Sequence, residues 1–175
     1  GFHVLRMSKS SQVLAMAAGL GETQAELILN ASPMHDIGKI GVPDHILLKP
    51  GKLDKNEWEI MQTHVAIGGE ILKEDDSELM KMAHSIAMSH HEKFDGSGYP
   101  QGLKGEDIPI EGRISAICDV FDALTSERPY KQAWNIEDAL VFINEGSGAH
   151  FDPKLVVLFN QVLPQILRIR DEYSD

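Results

Sequence analysis

The sequence predicts an all-α fold. Three observations carry this expectation. Apolar residues recur at three- and four-residue spacing through most of the chain. Helix-start signals precede those stretches, at Asp54 with Glu57, at Asn135 with Asp138, and at Asp152-Pro153. No segment reads as a strand, and no repeat or low-complexity run interrupts the pattern.

From Phe2 to Leu20, the residues Leu5, Val13, Met16, Ala17 and Leu20 set a mostly helical spacing that ends at "GLG". A second helix is expected from about Thr23 through Leu27, Ile28 and Ala31 to His35, with Pro33 kinking its end. Segment 38–53 reads as loop, with Gly and Pro at both ends. The Asp54/Glu57 capping box opens a helix carrying Trp58, Met61, Val65 and Ile71-Leu72. Another runs from about Ser77 to His91 and leads into a Gly-rich loop over 95–105. Pro109 precedes a helix through Ile114, Ile117, Val120 and Leu124. Asn135 starts a further helix, ended by Gly146, and the last runs from Pro153 to about Arg170. Trp58, Met61 and the final apolar helix read as core.

The chain has 175 residues, 42% hydrophobic and 25% charged, which fits one soluble domain over residues 1–175. A formal net charge of −11 disfavours binding to long nucleic acid, although divalent cations and a few local lysines or arginines can reverse the sign inside one pocket. No apolar run approaches the roughly 20 residues that span a bilayer, and no signal segment opens the chain. A single cysteine, Cys118, excludes an internal disulfide and points to the cytoplasm. The opening "GFHVLRM" lacks an initiator Met and reads as the trimmed edge of a longer chain.

Histidines and aspartates cluster in the motifs. They are His3, His35 beside Asp36, His64, the pair His90-His91, and Asp119 with Asp122 three residues apart on one helix face. Neighbours on a helix point roughly 100° apart. His35 can therefore serve one metal ion while Asp36 leans to another, and His90 and His91 are expected to diverge in the same way. Imidazole with carboxylate suits Fe, Mn, Ni, Co and Zn, and the lack of cysteine ligands argues against a structural zinc site. A two-metal centre suits phosphodiester hydrolysis. Lys39, three residues past Asp36, is placed to neutralise a phosphate oxygen. His84 reads as a solvent-facing or supporting residue, His45 as solvated, and His150 as structural or supporting.

Four ordered motifs, "HDIGKIGVPDHILLKPGKL", "HHEKFDGSGYPQGLKGEDIP", "ISAICDVFDALTSERPYK" and "GSGAHFDP", resemble the HD-GYP subgroup of the HD phosphohydrolase superfamily, over nearly the whole chain. The resemblance implies the superfamily's five-helix core with additional C-terminal helices. It implies hydrolysis of cyclic di-GMP to linear pGpG or on to GMP through a metal-bridging hydroxide. It assigns metal ligation to His35, Asp36, His64, His90, His91 and Asp119, and to His3 in members with three ions. Those members also use a glutamate four residues before that histidine, which would precede Gly1. The implied cofactors are two divalent transition metals, or three, with Fe first and Mn or Ni as alternatives.

The same resemblance gives Lys39 to the bridging phosphate and Arg128 and Lys131 to the nucleotide. Asp122 and Tyr99 are further substrate-binding positions. The loop Gly98-Tyr99-Pro100 is the subgroup's hallmark, linked to substrate handling and to contacts with GGDEF-type cyclases. An upstream sensory or receiver domain in the full-length protein is a further expectation. Two alternatives stay open: a module that binds cyclic dinucleotide without turnover, and a phosphodiesterase preferring cyclic GMP-AMP.

Overall fold

A computed structural model describes residues 2–127 and 132–174. Its helices are α1 (His3–Ala17), α2 (Glu22–Ala31), α3 (Asp44–Leu47), α4 (Lys55–Gln62), α5 (His64–Leu72), α6 (Glu78–Ser89), α7 (Ile110–Thr125), α8 (Ile136–Glu145) and α9 (Pro153–Glu172). Among the described residues there is no strand, only an isolated bridge between Ser147 and Phe151. The all-α expectation holds. No helix among the described residues is long and apolar enough to cross a membrane.

The expected capping signals work as read. The Asp54 side chain accepts from the Glu57 N–H at 2.9 Å, and the Glu57 carboxylate accepts from the Asp54 N–H at 2.8 Å. Asn135 and Asp152 cap α8 and α9. Segment 38–53, expected as loop, carries the short helix α3, whose start follows Pro43. Two boundaries also differ from the sequence expectation. Helix α2 stops at Ala31, because Pro33 tightens the chain into a 3-10 turn over Ser32–Met34. A second 3-10 turn, Ile37–Gly41, follows. The helix expected from Asp54 through Leu72 breaks at Thr63. There the Thr63 N–H bonds back three residues to the Ile60 carbonyl, and its hydroxyl donates to the same oxygen at 2.6 Å. The break lets α5 turn inward at His64 while α4 stays outside with no buried residue.

The main core lies between α1, α2, α7, α8 and α9. It is built on Met7, Leu14, Ile28, Ile117, Phe121, Ile143 and Phe159. Each such side chain contributes on the order of 1.5–3 kcal/mol when fully buried, and the Phe121 and Phe159 rings meet edge to face at 5.1 Å. A smaller cluster, Ala31, Leu72, Ala83, Ile86 and Ala87, ties α2, α5 and α6 together. Two glycines bring backbones close where the site forms. A Cβ on Gly38 would stand 1.8 Å from the His64 carbonyl oxygen, and one on Gly112 would stand 2.1 Å from Ser89 Oγ. The first contact sets the turn after Asp36 against α5. The second sets α7 against the end of α6, next to His90.

Candidate metal centre

His35 and Asp36 lie between the two 3-10 turns, His64 opens α5, His90 and His91 close α6, His3 lies in the first turn of α1, and Asp119 is midway along α7. Their side chains converge in two adjoining groups. Asp36, His64, His90 and His91 offer one donor atom each within 4.8 Å of one another, and so do His3, His35 and Asp119. Asp36 joins the groups. Its Oδ1 is 3.4 Å from His64 Nε2 and 3.7 Å from His90 Nε2, while its Oδ2 is 3.2 Å from His35 Nε2.

Each buried imidazole is oriented by a backbone carbonyl one turn earlier. His35 Nδ1 donates to Ser32 O at 2.8 Å, His64 Nδ1 to Met61 O at 2.6 Å, and His90 Nδ1 to Ile86 O at 3.0 Å. A carbonyl only accepts, so the proton sits on Nδ1 and the Nε2 lone pair points into the site. Those three Nε2 atoms and Asp36 Oδ1 are buried without a hydrogen-bond partner. Lone pairs facing carboxylate oxygens at 3.2–3.7 Å repel unless a cation lies between them. A nitrogen-and-oxygen donor set of this kind fits divalent transition metals, so the residues present fit a metal centre.

The centre needs positive charge facing Asp36. Burial would push its carboxyl up, but His35, His64 and His90 hold it far below the usual carboxylate range where a proton on Nε2 faces it, and His35, despite its burial, is raised in return; a cation fills that role when the Nε2 atoms present lone pairs. His91 is pushed down to about 2 by burial and by the neighbouring His90 and His64, so it stays neutral and keeps a lone pair for a ligand. His3 is raised to about 9 by its hydrogen bonds to Asp119 and Asp122. A metal at its Nε2 must therefore displace a proton.

The sequence matches the HD domain over residues 3–155. The chain belongs to the HD domain family. Its Gly98-Tyr99-Pro100 loop is that of the HD-GYP branch. Among curated relatives, the 3'3'-cGAMP-specific phosphodiesterase 2 of Vibrio cholerae is 50% identical over all of this chain and 34% of the relative. The cyclic di-GMP phosphodiesterase response regulator RpfG of Xanthomonas campestris is 44% identical over 97% of this chain and 45% of the relative. The chain thus spans about a third to a half of the length of these relatives. A solved HDG"Y"P protein from Bdellovibrio bacteriovorus shares the fold, with a TM-score of 0.69 at 17% identity over 93% of this chain and 51% of its own.

Within this HD domain several placements differ from the sequence reading. His90 and His91 do not serve opposite directions. His90 caps α6, the chain leaves helical geometry after it, and the two rings close to 4.0 Å so that both join the group with Asp36 and His64. Asp122 is not turned to the cleft. It accepts from His3 Nδ1 at 2.7 Å, from Arg6 Nε at 2.7 Å, from Ser126 Oγ at 3.1 Å and from Arg170 Nη1 at 3.4 Å. Arg6, 3% exposed, was not singled out in the sequence. Its spacing from His3 on α1 matches that of Asp122 from Asp119 on α7, which is the signal that would have found it.

Lys39 Nζ lies 2.6 Å from Asp36 Oδ2. Tyr99, in a cis peptide with Pro100, stacks on His91 with centroids 4.8 Å apart and planes 17° from parallel. Glu92, buried, ties this loop down by accepting from the Gln101 N–H at 2.8 Å and the Leu103 N–H at 3.0 Å. Arg128 and Lys131 lie outside the described residues. Beside the donor groups opens a cleft of about 330 Å³ lined by His90, His91, Asp119, Tyr99, Lys93 and Trp58, with His150 also on its wall. Trp58 and His150, read in the sequence as core and as structural, both face it.

Proposed function

We propose that this chain is the catalytic domain, spanning residues 1–175, of a metal-dependent phosphodiesterase that hydrolyses cyclic di-GMP to linear pGpG or on to GMP. One observation carries the reading: three buried Nε2 lone pairs and Asp36 Oδ1 converge without partners, with a second donor group beside them. Two divalent ions are the cofactors, Fe in first place with Mn or Ni as alternatives, and His3 is the residue that recruits a third where a further donor is available. Bound ions supply Lewis acidity toward the phosphoryl oxygens and lower the pKa of water.

The chain's own residues do the rest. Asp36 bridges the two donor groups, and His3, His35, His64, His90, His91 and Asp119 complete them. Lys39, whose side chain is 38% exposed, releases Asp36 and takes a phosphate oxygen. Arg128 and Lys131 hold the nucleotide further along the chain. Asp122 acts through His3 rather than on substrate. Tyr99 covers His91 and shields it from water.

The Gly98-Tyr99-Pro100 loop is the contact for GGDEF-type cyclases, and an upstream regulatory domain controls the full-length protein. Both extend the family resemblance, and the name of the response regulator relative supports the second. The net charge of −11 disfavours long nucleic acid as substrate, and a cytoplasmic site of action fits the lone cysteine.

A second substrate, cyclic GMP-AMP, is favoured by the 50% identical relative named for it. Turnover of both dinucleotides by protein loaded anaerobically with Fe(II) or Mn(II), with products separated by chromatography, tests the reading. Cleavage that disappears in the His35→Ala/Asp36→Ala variant together with bound metal is expected. Undiminished cleavage by that variant would overturn it.

A further inference from the structure

Helix α4 is an anomaly of this fold. None of its eight residues is buried, yet it carries a tryptophan. Trp58 is 45% exposed, and leaving so large an apolar side chain in water forfeits the stabilisation its burial would bring. The helix is held from outside the core, by the Asp54/Glu57 box and by Lys49 Nζ on Glu57 Oε2 at 2.6 Å. The indole nonetheless has a fixed place. It stands perpendicular to Tyr99 with centroids 6.1 Å apart and planes 85° apart, on the wall of the cleft that also holds His90, His91 and Asp119. Tyr99 is itself occupied in a parallel stack on His91. The half-exposed indole on the cleft wall is therefore the aromatic surface left for a further flat partner.

We propose that Trp58 is the stacking platform for a purine base of the substrate. Three features of the cleft agree. Its volume, about 330 Å³, falls within the range of ligand pockets, roughly 300 to 1,000 Å³, and has room for a base with its phosphate. Three of the donor residues, His90, His91 and Asp119, line the same cleft, so a base on the indole leaves its phosphodiester beside them. Lys93, on the same wall system, supplies a cationic donor for the O6 and N7 acceptors on the edge of a guanine. Stacking is tolerant of base identity because every base has a π-face. Trp58 supplies affinity, and Lys93 is the lysine of the cleft lining that can favour guanine.

The inference rests on the cyclic dinucleotide reading, and its test separates the two. The chain has two tryptophans, so Trp134→Phe leaves Trp58 as the sole indole reporter; Trp134 packs on Phe142, away from the cleft lining. In that variant GMP is expected to quench the fluorescence saturably and ribose 5-phosphate is not. In metal-loaded protein, Trp58→Ala is expected to raise KM for cyclic di-GMP between about 5- and 150-fold, the range a lost base stack produces, with kcat little changed. Trp58→Phe is expected to recover most of the loss. An unchanged KM in Trp58→Ala, or equal quenching by ribose 5-phosphate, would overturn the stacking role. The GMP titration needs no turnover, so it decides that role even if the wild type cleaves no cyclic dinucleotide, an outcome that overturns the proposed activity alone.

Discussion

Replacing Asp122 with Ala should weaken the protein in two separable ways. The carboxylate accepts from both Arg6 Nε and Nη2, at 2.7 and 3.2 Å, while Arg6 Nη1 holds the Tyr173 carbonyl at 2.7 Å. Its removal leaves a guanidinium that is 3% exposed without this carboxylate. Breaking a buried pair from one side costs about 3–5 kcal/mol. At about 2–4 °C per kcal/mol for a chain of this length, Tm should fall by about 6–20 °C. The second loss is at His3, whose Nδ1 is held by the same carboxylate at 2.7 Å. Removing such an orienting partner costs about 10- to 100-fold in metal affinity.

Scanning fluorimetry of the metal-free protein reads the first effect, and competition with a metal chelator reads the second. His3→Ala should lower metal content without the large fall in Tm. Arg6→Met with Asp122→Leu should restore much of the Tm but not the metal affinity, because the buried pair is then replaced rather than broken. Burial raises the Asp122 carboxyl, but His3 and Arg6 outweigh it and hold it low. Its contribution is therefore present above the unfolded carboxylate pKa of about 4 and is lost as pH falls through the folded value. A Tm within about 2 °C of wild type in Asp122→Ala, with unaltered metal retention, would refute the reasoning.

Three further outcomes are expected. Gly38→Ala drives a Cβ into the backbone of α5 at His64 and Gly68. Neither can yield cheaply, so a loss near about 3 kcal/mol, with metal binding falling in parallel, should appear in denaturant titration. Glu92→Ala frees the Gln101 and Leu103 amides. Hydrogen exchange over the loop should rise at least tenfold at these two positions, following the roughly 1.5–3 kcal/mol of bonds to a charged acceptor. Cys118 is fully enclosed, and burial pushes its thiol up to about 12. Thiol reagents at pH 8 should modify it only at the rate of unfolding, and fast labelling of native protein would contradict the packing of α7.

Much of the architecture was legible because helix caps are local chemistry. Asp54 with Glu57, Asn135 with Asp138, and Asp152-Pro153 each mark a start within a few residues, and the structure begins helices at those places. The donor residues were legible from their combined order, His, His-Asp, His, His-His, Asp, and from the resemblance of the motifs that carry them, since no single pair is specific. Trp58 was not legible as a cleft residue. Its spacing to Met61 and Val65 is helical whether the face meets a core or a ligand, and only the break at Thr63 decides which. That break depends on a three-residue hydrogen bond that no residue type announces. The closing of His90 on His91 was equally hidden, since the argument from helical geometry fails where a helix ends. Asp122 lay on the expected face of α7, but its partner Arg6 is 116 residues away in sequence.

The acceptors that orient His35, His64 and His90 are the main-chain oxygens of Ser32, Met61 and Ile86. Every amino acid carries that oxygen. Positions 32, 61 and 86 can therefore change side chain through evolution while the imidazole tautomers stay fixed, provided the turns keep their shape. A mutational scan of side chains would be blind to this scaffold, as would any comparison of residue identities. What would disturb it is the chain's path: an insertion, a deletion, or a proline entering one of those turns. The centre's tolerance to substitution and its intolerance to changes of length are thus two sides of one design.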